Sequence, residues 1–197
     1  MNVFIVYCHP SSDSFTYCVK EEFVKGLSAA GHSCVISDLY AMGFDPLFSD
    51  KEYHREAFYD LSADIPDDIA AEHAKINSAD AIVFIYPVFW TDAPALLAGW
   101  FQRVWTYGFA YGDDHSMKTL EKALFLVTMG GSLKDDIRQT QVEAMKTVML
   151  GDRIGSRAKE KEFVVFDRMT RGYGNDGVRD ENAVLFLKQA YQLGYEI

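Results

Sequence analysis

Two runs in this chain, Ala81 to Tyr86 and Ala123 to Thr128, are apolar at nearly every position instead of alternating. A strand reads that way when both of its faces are buried, which happens where helices cover both sides of a parallel sheet. Three more short runs, Val3 to Tyr7, Cys34 to Ser37 and Glu162 to Phe166, bring the expected strands to five. Helical patterns separate and follow them near Ser14 to Ala30, Pro66 to Asn77, Ala93 to Trp105, Asp135 to Met149 and Asp180 to Tyr195. Strand alternating with helix predicts an α/β doubly wound fold.

With 197 residues, 49% of them hydrophobic, the chain is long enough for one sizeable core, and it reads as one domain over 1–197. Nineteen basic residues against 29 acidic ones leave a net charge of −10. That charge opposes phosphate backbones and anionic lipid, so nucleic acid and membrane surface are not expected partners. Cys8, Cys18 and Cys34 form no CxxC pair and are odd in number, which speaks against a disulfide framework or a zinc site and for a reducing compartment. The apolar stretches 81–90 and 93–105 are too short to span a bilayer, and no basic leader precedes the first strand, so a cytoplasmic location is expected.

Local signals set several boundaries. Asp13 or Ser14 is placed to cap the first helix and Gly31 to close it. Asp92 before Ala93 and Pro94 predicts the start of another, and Ser132, three before Asp135, approximates a capping box. The stretch 40–64 shows no clear periodicity and many aromatics, and reads as a packed excursion.

One helix between each consecutive pair of five parallel strands fits the order 2-1-3-4-5, which puts the topological switch between the first and third strands. A ligand then belongs beyond their carboxyl ends. The first of these loops reads CHPSSDSFT and leads straight into a helix, so its free backbone donors favour a phosphate there, with Ser11, Ser12, Ser14 and Thr16 adding hydroxyl donors; a plain N-cap role for Asp13 or Ser14 is the blander alternative. The second reads YPVFWTDAP, where Phe89 and Trp90 leave a buried strand at a position suited to lining a flat apolar ring; ordinary core packing is the plainer alternative for such aromatics. After the fourth strand come Thr128, Met129, Gly130 and Gly131, whose backbone N–H groups could approach a ligand closely.

The segment Tyr86 to Phe109, YPVFWTDAPALLAGWFQRVWTYGF, resembles the signature of the NAD(P)H:quinone oxidoreductase family, with Pro87, Trp90, Pro94, Gly99, Trp100, Phe101 and Arg103 in place. So do the opening H-x-x-x-x-S-F at His9 to Phe15, the SDLYAM at Ser37 to Met42 and the T-x-G-G at Thr128. The resemblance implies a flavodoxin-like fold, a five-stranded parallel sheet in the order 2-1-3-4-5 with helices on both faces. It implies a flavin, FAD by the likeness of SDLYAM and its sequel or else FMN, and NAD(P)H as co-substrate. Electrons would pass by a ping-pong route to a quinone or similar small-molecule acceptor. It further implies that His9, Ser14, Phe15 and Thr16 contact the ribityl-phosphate region, that Pro87 to Thr91 border the isoalloxazine, and that Thr128 to Gly131 face its pyrimidine side. Trp90 would also meet the substrate, and Tyr111 would face the substrate pocket of the other subunit of a homodimer. The family's larger members carry a tyrosine and a histidine after the double glycine; Leu133 to Val142 here has neither, and no catalytic acid is assigned.

Gly172, Gly174 and Gly177 spell GxGxxG, but no strand follows to complete a βαβ unit, so they read as a C-terminal loop. The five histidines lack ligand spacing, Asp113, Asp114 and His115 included, and no metal site is expected. Two other readings stay open: a non-enzymatic flavodoxin-like electron carrier, which the missing T-x-T-G-x-T loop argues against, and an ancillary regulatory subunit of a transporter, which no residue specifically favours.

Overall fold

A computed structural model describes residues 1–172 and 176–197 of the chain. Its five strands, β1 (Asn2–Tyr7), β2 (Ser33–Asp38), β3 (Ala81–Pro87), β4 (Leu120–Thr128) and β5 (Ala158–Phe166), are all parallel and ordered β2-β1-β3-β4-β5. The expected order is therefore observed, and the switch falls between β1 and β3. β4 and β5 begin three and four residues before their apolar runs, at positions whose Lys and Glu side chains face solvent or each other.

The pleat sorts the core into two layers. Phe4, Val6, Ile82, Phe84, Phe125 and Val127 point to one face, under α3 (Asp67–Ser78) and α4 (Ala95–Val104). Val3, Ile5, Val83, Ile85, Leu124 and Leu126 point to the other, under α1 (Phe15–Ala29) and α6 (Asp176–Tyr195). α1 and α6 cross at glycines: a Cβ on Gly26 would sit 2.0 Å from Tyr191 O, and one on Gly194 would sit 2.1 Å from Phe23 O. Any side chain there would push the two backbones apart.

Ser14 is the α1 N-cap, and the helix closes as Gly31 was expected to close it, with φ +78° and the His32 and Gly31 N–H groups donating to Leu27 O and Ser28 O. Two other caps differ from expectation. α4 starts at Pro94, with no side-chain cap, because Asp92 is spent on the turn before it, accepting from Ala93 N–H. α5 (Asp136–Lys146) is capped by Asp135 itself, which accepts from Ile137 and Arg138 N–H, while Ser132 accepts from Lys134 N–H. Past Lys146 the backbone widens into a π-helix, Thr147–Ile154.

The excursion after β2 holds α2 (Asp50–Ala57), opened by a full capping box between Ser49 and Glu52. Buried charges pin it down. Arg103 of α4 donates from Nε to Glu52 at 2.7 Å, and from Nη1 to Asp68 at 2.7 Å and to the Asp45 carbonyl at 2.8 Å. Trp100 donates its indole N–H to Glu72, fully buried and held also by Lys75 and Ser37. The Trp100 and Arg103 of the signature segment thus work as anchors that fix α4, and with it the loop that α4 follows. Of the GxGxxG glycines, Gly174 lies outside the described residues, and Gly177 belongs to the first turn of α6.

Candidate active site at the carboxyl edge of the sheet

Three loops leave the sheet side by side beyond β1, β3 and β4. The ladder continues one residue past each strand: Cys8 N–H donates to Ile85 O, Val88 N–H to Thr128 O and Met129 N–H to Phe166 O. Their first residues are therefore held at fixed mutual positions.

In the first loop Ser14 caps α1 by accepting from Tyr17 N–H at 3.0 Å, and its hydroxyl keeps one hydrogen that it can donate. The N–H groups of Phe15 and Thr16, in the first helical turn, have no acceptor among the described residues. The Thr16 hydroxyl is shared with that of Thr128 at 2.7 Å, a buried tie from the helix start to the end of β4. His9 Nδ1 lies 3.0 Å from the backbone N and O of Ser11, and burial holds the imidazole pKa below its ordinary value, so the ring is neutral near pH 7. An anion at this helix start would meet backbone and hydroxyl donors.

The second loop makes a two-residue turn between Phe89 and Asp92, whose backbones exchange hydrogen bonds of 3.0 and 3.2 Å. Trp90 sits at its tip with φ +55° and is 95% exposed. That backbone conformation is uncommon for a bulky residue, and strain of this kind concentrates at ligand sites. The third loop has two glycines without Cβ room: a methyl on Gly130 would fall 1.9 Å from Thr170 Oγ1, and one on Gly131 would fall 2.9 Å from Arg138 Nε. The chain after β5 braces this turn, Met169 N–H donating to Met129 O and Arg168 N–H to Gly131 O.

One cleft of about 210 Å³ is lined by His9, Ser14, Phe15, Thr16, Pro87, Val88, Phe89, Thr128, Met129 and Gly130. Ten of the residues singled out from sequence thus meet in one place. A neighbouring cleft of about 270 Å³ takes in Trp90 and Gly131, with Arg138 and Thr170. A third, of about 390 Å³, runs from His9 past Ser11 and Ser12 to Asp38, Tyr40 and Ala41.

Two candidates lie elsewhere. Thr91 lines a separate cavity between α4 and α5, with Phe101, Met145 and Met149. Tyr111 stands apart from its own chain's cleft, donating its hydroxyl to Glu56 at 2.7 Å beside Tyr107. Sequence reasoning missed Met169, Thr170 and Arg138, which carry no motif. Among the described residues no three His, Cys, Asp or Glu side chains gather as metal ligands, and no helix is long and apolar enough to cross a membrane.

Comparison with known proteins agrees with this fold. A family model described as flavodoxin-like fold matches residues 1–151. The chain superposes on an NAD(P)H:quinone oxidoreductase from Methanothermobacter marburgensis with a TM-score of 0.91 at 39% identity, covering 100% of this chain and 95% of that one. It is 37% identical over 145 residues to NAD(P)H dehydrogenase (quinone) 1 of Cavia porcellus, across 65% of this chain and 53% of that protein. With the human ribosyldihydronicotinamide dehydrogenase (quinone) it shares 34% identity over 149 residues, 66% of this chain and 64% of that one. The aligned part thus spans about half to two thirds of these two mammalian relatives.

Proposed function

Because this chain belongs to the flavodoxin-like fold family and to its NAD(P)H:quinone oxidoreductase branch, we propose that it binds a flavin and catalyses two-electron reduction of a quinone-like acceptor by NAD(P)H. The observation that carries this reading is the single cleft in which the α1 start, Pro87 to Phe89 and Thr128 to Gly130 meet. The residues fit a flavin in the physical sense. Donors stand where a phosphate would lie, and Gly130 and Gly131, lacking side chains, line the clefts with backbone alone. A bound flavin would supply the capacity to take up and give back an electron pair as hydride.

The protein's own part is binding, orientation and exclusion of water. Ser14, the Phe15 and Thr16 N–H groups and neutral His9 would hold the phosphate, Pro87, Val88 and Phe89 would wall the ring on one side, and the Gly130 and Gly131 backbone would meet it on the other. Trp90, fully outside its own fold, gains cover only from a ligand or a second chain, which supports a homodimer in which Tyr111 reaches the partner's pocket. FAD is the preferred flavin, since the cleft beside Ser11, Asp38 and Tyr40 offers room next to the phosphate position for a second nucleotide half. A cytoplasmic protein fits the free cysteines.

Reconstitution with FAD and with FMN, followed by steady-state rates at several fixed quinone concentrations, tests the reading. Parallel double-reciprocal lines with FAD are expected. A protein that takes up neither flavin would overturn it.

A further inference from the structure

Hydride transfer from a nicotinamide delivers two electrons with one proton, so the receiving ring gains one negative charge. That charge stays until the acceptor takes the hydride onward and collects a second proton from solvent. A site that works this way gains from a fixed positive charge beside the ring's pyrimidine edge. The sequence places neither the tyrosine nor the histidine of the larger relatives in 133–142, yet that stretch contains Arg138.

The structure brings Arg138 to the site. It lies in the first turn of α5, where the Asp135 carboxylate receives the Ile137 and Arg138 N–H groups and so fixes the turn. Its side chain folds back across Gly131, close enough that a Cβ on the glycine would meet Nε at 2.9 Å and Cδ at 3.2 Å. There it lines the cleft shared by Trp90, Gly130, Gly131 and Thr170. Its side-chain hydrogen-bond partner is neutral: Nη1 donates to Gln141 Oε1 at 2.9 Å. It enters no salt bridge among the described residues, and its charge is not cancelled by a paired carboxylate. Among the described residues lining the three clefts at this sheet edge, Arg138 is the only lysine or arginine.

We propose that Arg138 is a catalytic residue of this enzyme, a fixed cation that stabilises the negative charge gained at the flavin's pyrimidine edge. An arginine cannot give up its proton near neutral pH, so it contributes charge and hydrogen bonds, and solvent supplies the second proton. The proposal rests on the flavin reading above.

Sulfite separates the two. Sulfite adds through sulfur to flavin N5 and leaves one negative charge at N1 and O2, so its affinity reports local positive charge without turnover. In FAD-loaded protein, Arg138→Met is expected to weaken sulfite binding about 10- to 100-fold, the scale of one charge-assisted hydrogen bond, and Arg138→Lys to retain most of it. Equal sulfite affinity in wild type and Arg138→Met, both carrying flavin, would overturn the role of Arg138 and leave the flavin reading standing. Failure of wild type to hold flavin would overturn both.

Discussion

Gly130→Ala probes packing and ligand space at once. The added methyl would lie 1.9 Å from Thr170 Oγ1 and 3.3 Å from Thr170 Cβ. A relaxed C···O contact needs roughly 3.3–3.6 Å, so the hydroxyl must retreat by about 1.5 Å. Thr170 is β-branched, and only a rotamer that turns its hydrogen toward residue 130 relieves both heavy substituents. Overpacking of this sort costs about 1–3 kcal/mol. Gly130 lacks a positive φ, so alanine introduces no backbone strain of its own. Gly130 and Thr170 both line the cleft assigned to the flavin, so the added methyl is expected to take ligand space there, where a loss of about 1.4–2.8 kcal/mol corresponds to roughly 10- to 100-fold weaker binding. Urea unfolding of the apo-protein and fluorescence titration with FAD measure the two effects. Adding Thr170→Ala removes the clashing hydroxyl, so the double variant should regain stability while affinity stays low. A Gly130→Ala protein as stable and as tight-binding as wild type would refute the geometry; recovery of affinity together with stability would move the flavin out of this cleft.

Other consequences follow from buried groups. Burial pushes the Cys8 thiol up to about 12, so alkylation of native protein near pH 8, mapped by peptide, should mark exposed Cys18 and spare Cys8 until the chain unfolds. His73 stacks on Phe109 at 3.6 Å and donates from Nε2 to Val104 O, and burial lowers its pKa. The unfolded chain then binds the extra proton more readily, so stability should fall as pH drops through about 6.5 toward the lower folded value. His73→Gln should show a smaller loss between pH 7.5 and 5.5 by urea unfolding. Arg103→Leu strands Glu52 without its buried partner and should cost about 3–5 kcal/mol in the same assay; an effect below about 1 kcal/mol would contradict the anchoring role.

The fold was legible where burial is two-sided. β1, β3 and β4 announce themselves because both faces are covered, and the loops after them follow from the switch-point rule. The starts of β4 and β5 were not legible, because Glu121, Lys122 and Lys159 to Lys161 lie at the solvated starts of the two strands, where Lys159 pairs with Glu121 and Lys122 with Glu162. α2 escaped because its buried residues are Glu52 and Arg55, so no apolar stripe marks it, although Ser49 and Glu52 spelled the capping box. The π-helix widens the hydrogen-bond register without a sequence signature. At the site, residues next to a strand end could be placed from the chain alone; Thr170 and Arg138 could not, because they arrive from later elements by tertiary packing. Tyr111 was assigned by resemblance, and its bond to Glu56 shows what holds its ring within this chain.

The most direct measurement is an oxygen-free titration of the FAD-reconstituted protein with NADH and with NADPH, followed through the visible flavin band, and then addition of a quinone. One equivalent of reduced nicotinamide should bleach the band, and one equivalent of quinone should restore it. A flavin that stays bound and yellow in the presence of both nicotinamides would contradict the assignment of this cleft as a nicotinamide-driven redox site.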